Sequence, residues 1–429
     1  MSYQDQEFMN LDLNVDPEKY ILVDFDVHTS PKYMDRVYRE IPAESSVGTW
    51  QKVHAMTDEI LKKLSAKTYH VEKVNDHFSK IKVAYPLELF EFGNIPQAFS
   101  LFAGNVYGMN TVDHLRVVDV NFPKEFVDSF PGPKFGPQGI YKILGIKQGP
   151  ILGSIIKPKL GSPPDIHAQT TYETWKGGIT WIKDDEPMTN QDFCPFEDRI
   201  SKVLEMADHI KEEQGRQVVY AANITGKIEV MKKRAEFVKD MGGKVLMIDV
   251  VTTGFAAVQH IREMDYGLAI HAHRAMHGAI TKDQKHGIHM EVLAKTYRML
   301  GVDGIHTGTI FGKMGYGKEA EDREEVLSCN RALLDENFGS IKQTIPIASG
   351  GVGVRNVGKI VQALAPHVVI TSGGGIHGHP DGSTAGAKAI TAAKNAALND
   401  GVVEADALLQ WAKDHGENEL VKALENEKA

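Results

Sequence analysis

The chain has 429 residues, too many for one ordinary core, so two domains are expected. Hydrophobic residues make up 42% and charged residues 24%, a normal balance for a globular enzyme, and the net charge of −9 argues against a general nucleic-acid binder, whose phosphate contacts need a basic face. Only Cys194 and Cys329 are cysteines, the acidic start "MSYQDQEFMNLDLNVDPEKY" lacks the apolar core of a signal peptide, and no run approaches the ~20 apolar residues that span a bilayer, so a cytoplasmic protein with neither a disulfide framework nor a membrane partner is expected.

In chain order, "YILVDFDV" (20–27), "KIKVAYPLELF" (80–90) and "LRVVDVNFP" (115–123) read as strands, apolar or alternating and rich in Val and Ile. "TDEILKKLSA" and "PQAFSLFAGNVYGM" read as helices between them. This predicts a compact α+β domain, ferredoxin-like, over residues 1–135. The segment "PGPKFGPQG" (131–139) holds three Pro and three Gly and marks the boundary.

Beyond it a cadence begins. Short strands are predicted at 153–157, 179–185, 218–225, 244–251, 268–273, 304–307, 344–349 and 367–372. Helical patterns follow them, among them "DRISKVLEMADHIKEEQG" and "GAKAITAAKNAALNDG". Eight strand–helix repeats predict an α/β fold, a (β/α)8 TIM barrel over 136–400, followed by a helical segment over 401–429. An open doubly wound sheet would more often carry a Gly-x-Gly-x-x-Gly turn after its first strand, where this chain has "KPKLG". The last residues, "ENELVKALENEKA", read as a charged helix or a fray.

In such a barrel the site lies at the C-terminal ends of the strands. Polar residues gather there: Lys157 and Lys159 after the first strand, Lys183-Asp184-Asp185-Glu186 after the second, Asn223, Asp249, His273-Arg274 and His306 after the next four. Glycine runs, Ser349-Gly350-Gly351 and Ser372-Gly373-Gly374-Gly375, end the last two.

Period-two alternation puts Lys183 and Asp185 on one face, and Glu186 can turn inward at the rim. Converging hard oxygens suit Mg2+; a solvated strand end with surface ion pairs is the plain alternative. Lys183 is out of place in either case. Neighbouring carboxylates should raise its pKa, and an ammonium has three donors and no acceptor for a metal. It is therefore a counter-ion or a group that must be chemically changed first. Amides exposed by the two glycine runs suit a phosphate, against the alternative of tight turns. Arg274 and His306, across the barrel mouth, suit a second phosphate. "HAHRAMH" offers His271 and His273 on one face, but Arg274 would repel zinc; acid/base or phosphate contact fits the group better, and a hydrogen-bonded core histidine is the common alternative for any one of them. Lys313 sits among Gly312, Gly315 and Gly317, the composition of a mobile loop over a site or of an ordinary surface loop.

"IIKPKLG", "GGITWIKDDEP", "HAHRAMHGAI", "GIHTGTIFGKM" and "ITSGGGIHGHP", with "AESSVGTW" and "FAGNVYGM" earlier, resemble the large subunit of the ribulose-1,5-bisphosphate carboxylase/oxygenase (RuBisCO) family, most closely its archaeal form III and form II members. The likeness runs from about residue 20 to 398. It implies Mg2+-assisted enolisation of ribulose 1,5-bisphosphate, CO2 addition, hydration and C–C cleavage to two 3-phosphoglycerates, with O2 competing. By resemblance, Lys183 becomes a carbamate with an activator CO2 and binds Mg2+ with Asp185 and Glu186, and the carbamate oxygen serves as the base for enolisation. Lys157 is an acid/base lysine, Lys159 its neighbour, and His273 a catalytic histidine. Arg274 and His306 hold one phosphate; Ser349, Gly350, Gly351, Gly373 and Gly374 contact substrate and the other. Lys313 meets the incoming CO2. Glu44, Thr49, Trp50 and Asn105 complete the site of a partner subunit, so the resemblance implies a homodimer, or an assembly of dimers, without a small subunit. Gly315 departs from the Glu common in the family, Ile155 agrees with forms II and III, and no long C-terminal strap is expected over the loop. A RuBisCO-like enolase or isomerase of sulfur salvage is the alternative, and a non-catalytic bisphosphate-binding regulator a third; the retained Lys157, Lys183 and Lys313 favour the carboxylase.

Overall fold

A computed structural model describes residues 6–49, 53–311 and 319–426. The chain forms two compact units. The first comprises Met1–Gly132, Met276–Met299 and Glu336–Ile341; the second comprises Pro133–Ala275, Leu300–Asp335 and Lys342–Ala429.

The first unit is built on strands β1 (Tyr20–His28), β2 (Lys67–Asn75), β3 (Phe78–Pro86) and β4 (His114–Asn121). They pair antiparallel in the order β4-β1-β3-β2, with helices Pro31–Glu44 and Ile95–Phe102 in the two crossovers, which is the expected ferredoxin-like arrangement. β1 alternates strictly, burying Ile21, Val23, Phe25 and Val27 on one face. Pro31 opens the first helix, where its missing N–H costs nothing. The helix expected over 96–109 stops at Phe102, and Asn105–Gly108 form a separate 3-10 turn. A side chain on Gly104 would meet the Ser100 carbonyl oxygen at 2.1 Å, so only glycine makes that break. The later segment Met276–Met299 brings a short strand to the far side of β4, pairing Gly287 with Arg116 in parallel.

The second unit is the expected barrel. Its strands are β5 (Ile151–Ile155), β6 (Trp181–Lys183), β7 (Val219–Asn223), β8 (Val245–Asp249) and β9 (Ala269–His273). With the short strand of the first unit counted as β10 (Gly287–Ile288), the rest are β11 (Gly304–His306), β12 (Ile345–Ser349) and β13 (Val369–Ser372). All eight barrel strands are parallel and close through the β13–β5 pair. Trp181, Val219, Ala221, Val245, Met247, Ala269, Ile345, Ile347 and Val369 form one buried cluster, and helix Gly136–Leu144 packs Ile140, Tyr141 and Leu144 against it. The C-terminal segment is helical up to Asn426: Ala405–Asp414 and Asn418–Asn426 bury Leu408, Ala412, Leu420 and Leu424. Among the described residues, no helix is long and apolar enough to cross a membrane.

Candidate active site

Moving up the barrel, the inward positions turn from apolar to polar. One step of the two-residue period beyond Trp181, Ala221, Met247 and Ile347 lie Lys183, Asn223, Asp249 and Ser349; β9 and β11 add His273 and His306. Parallel strands in register therefore place these groups at one end of the barrel.

Lys183 is 1% exposed, and its Nζ donates to the Asp184 carbonyl at 2.9 Å. The expectation from its neighbours was a raised pKa. The structure reverses it: burial lowers the pKa, and Asp185, Glu186, Asp249 and Asp184 offset only part of that. The amine is thus biased toward its neutral, nucleophilic form.

Lys157 pairs with Asp185, and Lys159 lies 2.7 Å from Glu186 Oε1 and 3.6 Å from Asp185 Oδ1. Burial pushes the Asp185 carboxyl up. Burial acts the same way on Glu186, but hydrogen bonds with Asp185 and Lys159 outweigh it and hold Glu186 low. Asn223 Nδ2 donates to the Glu186 carbonyl at 2.8 Å and so fixes the turn that carries both carboxylates. Among the described residues, no three His, Cys, Asp or Glu side chains converge as a metal-holding group. Asp185 and Glu186 are two hard-oxygen donors, and an oxygen on Lys183 would make a third from the adjoining position. The donor set fits Mg2+ on that condition.

Asp184, between them, points the other way. It accepts from Arg199 Nη2 at 3.2 Å, from Tyr220 Oη at 2.5 Å and from the Asn223 amide at 2.8 Å, and it is fully buried. Because Tyr220 donates to Asp184, it accepts from His167 Nε2, 2.7 Å away. Burial, only partly opposed by Asp184, pushes the His167 pKa down to about 4. His167 is therefore neutral in the folded protein and titrates at its ordinary 6.5 when unfolded. Its contribution to stability is complete above pH 6.5 and is lost as the pH falls toward 4. Between pH 7 and pH 5 this one group should remove about 2 kcal/mol. Denaturant titrations at the two pH values should show a smaller drop for His167→Gln than for the parent.

His273 Nδ1 lies 3.1 Å from Asp249 Oδ1, and its Nε2 is 3.9 Å from Glu186. Burial, reinforced by the charge of Lys183, lowers its pKa. His306 Nδ1 is 2.6 Å from Ser349 Oγ. Arg274 occupies the space that a side chain on Gly308 would fill: a Cβ there would lie 2.7 Å from its Nη2. His271 uses both ring nitrogens on Trp181 and His306, which leaves none for zinc.

The glycine runs line a cavity of about 980 Å³ together with Lys157, Lys159 and Arg355. Gly350 and Gly351 have φ of +100° and +78°, open to glycine at little cost. A Cβ on Gly373 would lie 3.0 Å from Lys157 Cε, and one on Gly375 only 2.5 Å from the Val352 oxygen. Asn356 ties the first loop, donating to the Gly351 carbonyl and accepting from the Gly353 amide, each at 2.9 Å. Asn356 and Arg355 were missed in the sequence, although "VRN" directly after the glycines was a visible polar interruption. Glu44, Thr49 and Asn105 belong to the first unit: Glu44 ends helix Pro31–Glu44, Thr49 follows it, and Asn105 opens the 3-10 turn. Trp50, Lys313 and Gly315 lie outside the described residues.

A closed parallel barrel with its polar groups gathered at the C-terminal strand ends defines a (β/α)8-barrel enzyme. Residues 137–426 match the family model described as the ribulose bisphosphate carboxylase large chain, catalytic domain, and residues 7–126 match the N-terminal domain of the same chain. The chain is 44% identical over 405 residues to the ribulose bisphosphate carboxylase of Methanocaldococcus jannaschii, covering 91% of this chain and 93% of that one. The solved octameric ribulose-1,5-bisphosphate carboxylase/oxygenase of Pyrococcus horikoshii OT3, in complex with sulfate ion, is similar with a TM-score of 0.90 at 39% identity, covering 99% and 97% of the two chains. The dimeric archaeal Rubisco of Hyperthermus butylicus gives 0.88 at 37% identity, covering 98% of each. The chain belongs to the ribulose bisphosphate carboxylase large-chain family and most resembles its archaeal members.

Proposed function

We propose that this site carboxylates ribulose 1,5-bisphosphate to two molecules of 3-phosphoglycerate. The observation that carries the reading is Lys183: an amine buried at a strand end, depressed in pKa, and followed by two carboxylates that no third His, Cys, Asp or Glu joins as a metal-holding group among the described residues. The neutral amine attacks CO2, an N–C bond forms as one C–O π bond opens onto oxygen, and nitrogen passes a proton to water to leave a carbamate anion. Mg2+, held by that carbamate with Asp185 and Glu186, would supply Lewis-acid polarisation of the substrate's C2 carbonyl and C3 hydroxyl.

The chain's own residues do the rest. The carbamate oxygen on Lys183 takes the C3 proton, and the C2 carbon of the resulting enediolate bonds to CO2. Water adds at C3 and the C2–C3 bond breaks. Lys157, which pairs with Asp185, returns a proton to the carbon left by cleavage. His273 is the second proton carrier, with Asp249 at its Nδ1. Amides of Gly350, Gly351, Gly373 and Gly374 hold one phosphate, with Lys159 at the cavity wall. Arg274 and His306 hold the other, and Ser349 contacts the sugar chain between them. Lys313 orients the incoming CO2. O2 competes for the same enediolate. Glu44, Thr49, Trp50 and Asn105 complete the site of a second copy, so a homodimer is the smallest active unit, alone or in an assembly of dimers, with no small subunit. In linear order the first domain ends at 135 and the barrel's repeats at 400, while 276–299 and 336–341 return to the first unit. Two cysteines in the whole chain fit the cytoplasm.

Anaerobic incubation with ribulose bisphosphate, Mg2+ and labelled CO2 should yield labelled phosphoglycerate. Folded protein that exchanges the C3 proton yet fixes no label would instead be an enolase. Two further outcomes follow from the geometry. Activation by CO2 should accelerate with rising pH through a midpoint below the free-lysine value, because burial lowers the Lys183 pKa; a midpoint at or above it would contradict that cause. Gly375→Ala forces the Val352–Gly353 backbone aside, so the KM for the bisphosphate should rise on the order of tenfold with kcat largely kept, as steady-state kinetics would show.

A further inference from the structure

A hydrogen-bonded chain runs across the barrel into the polar layer from the step below it. Trp181 Nε1 is 3.2 Å from His271 Nδ1, His271 Nε2 is 2.8 Å from His306 Nε2, and His306 Nδ1 is 2.6 Å from Ser349 Oγ. The links join β6, β9, β11 and β12. Trp181, His271 and His306 are each no more than 2% exposed.

The first link fixes all the others. An indole N–H can only donate, so His271 Nδ1 must be bare. An imidazole carries at least one proton, which must then sit on His271 Nε2. That proton points at His306 Nε2, which must be bare in turn. The His306 proton is left on Nδ1, donated to Ser349 Oγ. Ser349 accepts there through one of its two lone pairs, and its hydrogen is free to donate. A doubly protonated state of either ring would set two N–H groups against each other or against the indole. Burial independently holds both rings well below the ordinary imidazole range.

We propose that Trp181 and His271 are positioning residues: they lock two neutral imidazoles in opposite tautomers, so that His306 Nδ1 donates to Ser349 Oγ and the Ser349 hydroxyl is left to turn its hydrogen to the site. A hydroxyl hydrogen turned to the site is what an anionic substrate oxygen needs, and a bare acceptor facing it there would repel it. The last clause rests on the bisphosphate reading above; the tautomer order does not.

Long-range 1H–15N NMR of the 15N-histidine-labelled full protein, without substrate, tests the order directly. His271→Gln and His306→Gln variants assign the signals. His271 should show a bare Nδ1 and a protonated Nε2, and His306 the reverse. The opposite order at either ring overturns the proposal, whatever the activity. Trp181→Phe keeps an aromatic ring but removes the donor, so the two rings should become tautomer mixtures. The KM for ribulose bisphosphate should rise about fivefold, the value of one ordinary hydrogen bond. His271→Gln supplies an amide oxygen toward Trp181 and an N–H toward His306, and should stay within about twofold of the parent. His271→Leu supplies neither and should match or exceed the loss in Trp181→Phe. Parent-like His306 signals and KM in both Trp181→Phe and His271→Leu would sink the positioning role. Parent protein with the expected tautomers but no turnover would count against the bisphosphate reading alone.

Discussion

Lys183→Ala should abolish Mg2+-dependent carboxylation, with loss beyond about 10⁴-fold, because on the proposed reading the substitution removes both the third metal donor and the base. The barrel should survive it. Lys183 contributes one hydrogen bond to a neighbouring carbonyl, and its removal takes a costly amine out of a buried position. Lys183→Arg is the sharper variant. It keeps a cation beside Asp185 and Glu186 but cannot present a neutral amine to CO2. Mass spectrometry under CO2 should find a carbamate adduct on the parent and on neither variant. Isothermal titration should find tight Mg2+ binding only where that adduct forms. Turnover in either variant would refute the role given to this lysine.

Arg199→Met should carry the largest loss of stability. Arg199 and Asp184 are both fully buried, and Arg199 also donates to the carbonyls of Cys194 and Thr189. Methionine matches the volume but strands the Asp184 carboxylate in the interior. Breaking such a pair costs about 3–5 kcal/mol, far more than any of the exposed ion pairs would. A denaturation midpoint within error of the parent would contradict the assignment. The double variant Arg199→Met/Asp184→Asn should recover much of the loss, since the stranded charge is then gone. The effect should reach the site as well, because Asp184 is the residue between Lys183 and Asp185 and helps hold Asn223.

The barrel was legible because seven of its eight strands are short runs closed by a polar residue, and β5 meets Lys157 two residues beyond its end. The limits were not. The strand expected over 179–185 pairs only from Trp181 to Lys183, since the carboxylates leave the ladder to meet lysines and Arg199. β2 was missed altogether: "KTYHVEKVN" is an outer strand with most of its residues exposed, so it lacks the apolar signal that alternation relies on. Helix Pro31–Glu44 was missed as well, although Ser30-Pro31 is a fair start signal. Within the site, alternation correctly separated Asp184 from Lys183 and Asp185. It could not name Arg199 as the partner, or say that burial would overcome the carboxylates around Lys183. The ring chain from Trp181 to His271 joins residues 90 positions apart, and no local pattern carries that.

The first unit draws on three separate stretches, and the short strand Gly287–Ile288 lies beside β4 only because the chain returns from β9. The protein is therefore not a pair of interchangeable beads. A single cut in the Pro- and Gly-rich segment releases neither unit whole. A graft of this barrel onto another N-terminal domain would arrive with a strand shaped for a neighbour left behind. Recombination between relatives should then succeed only when the early sheet, the stretch 276–299 and the stretch 336–341 travel together, so these distant pieces should be inherited as one block.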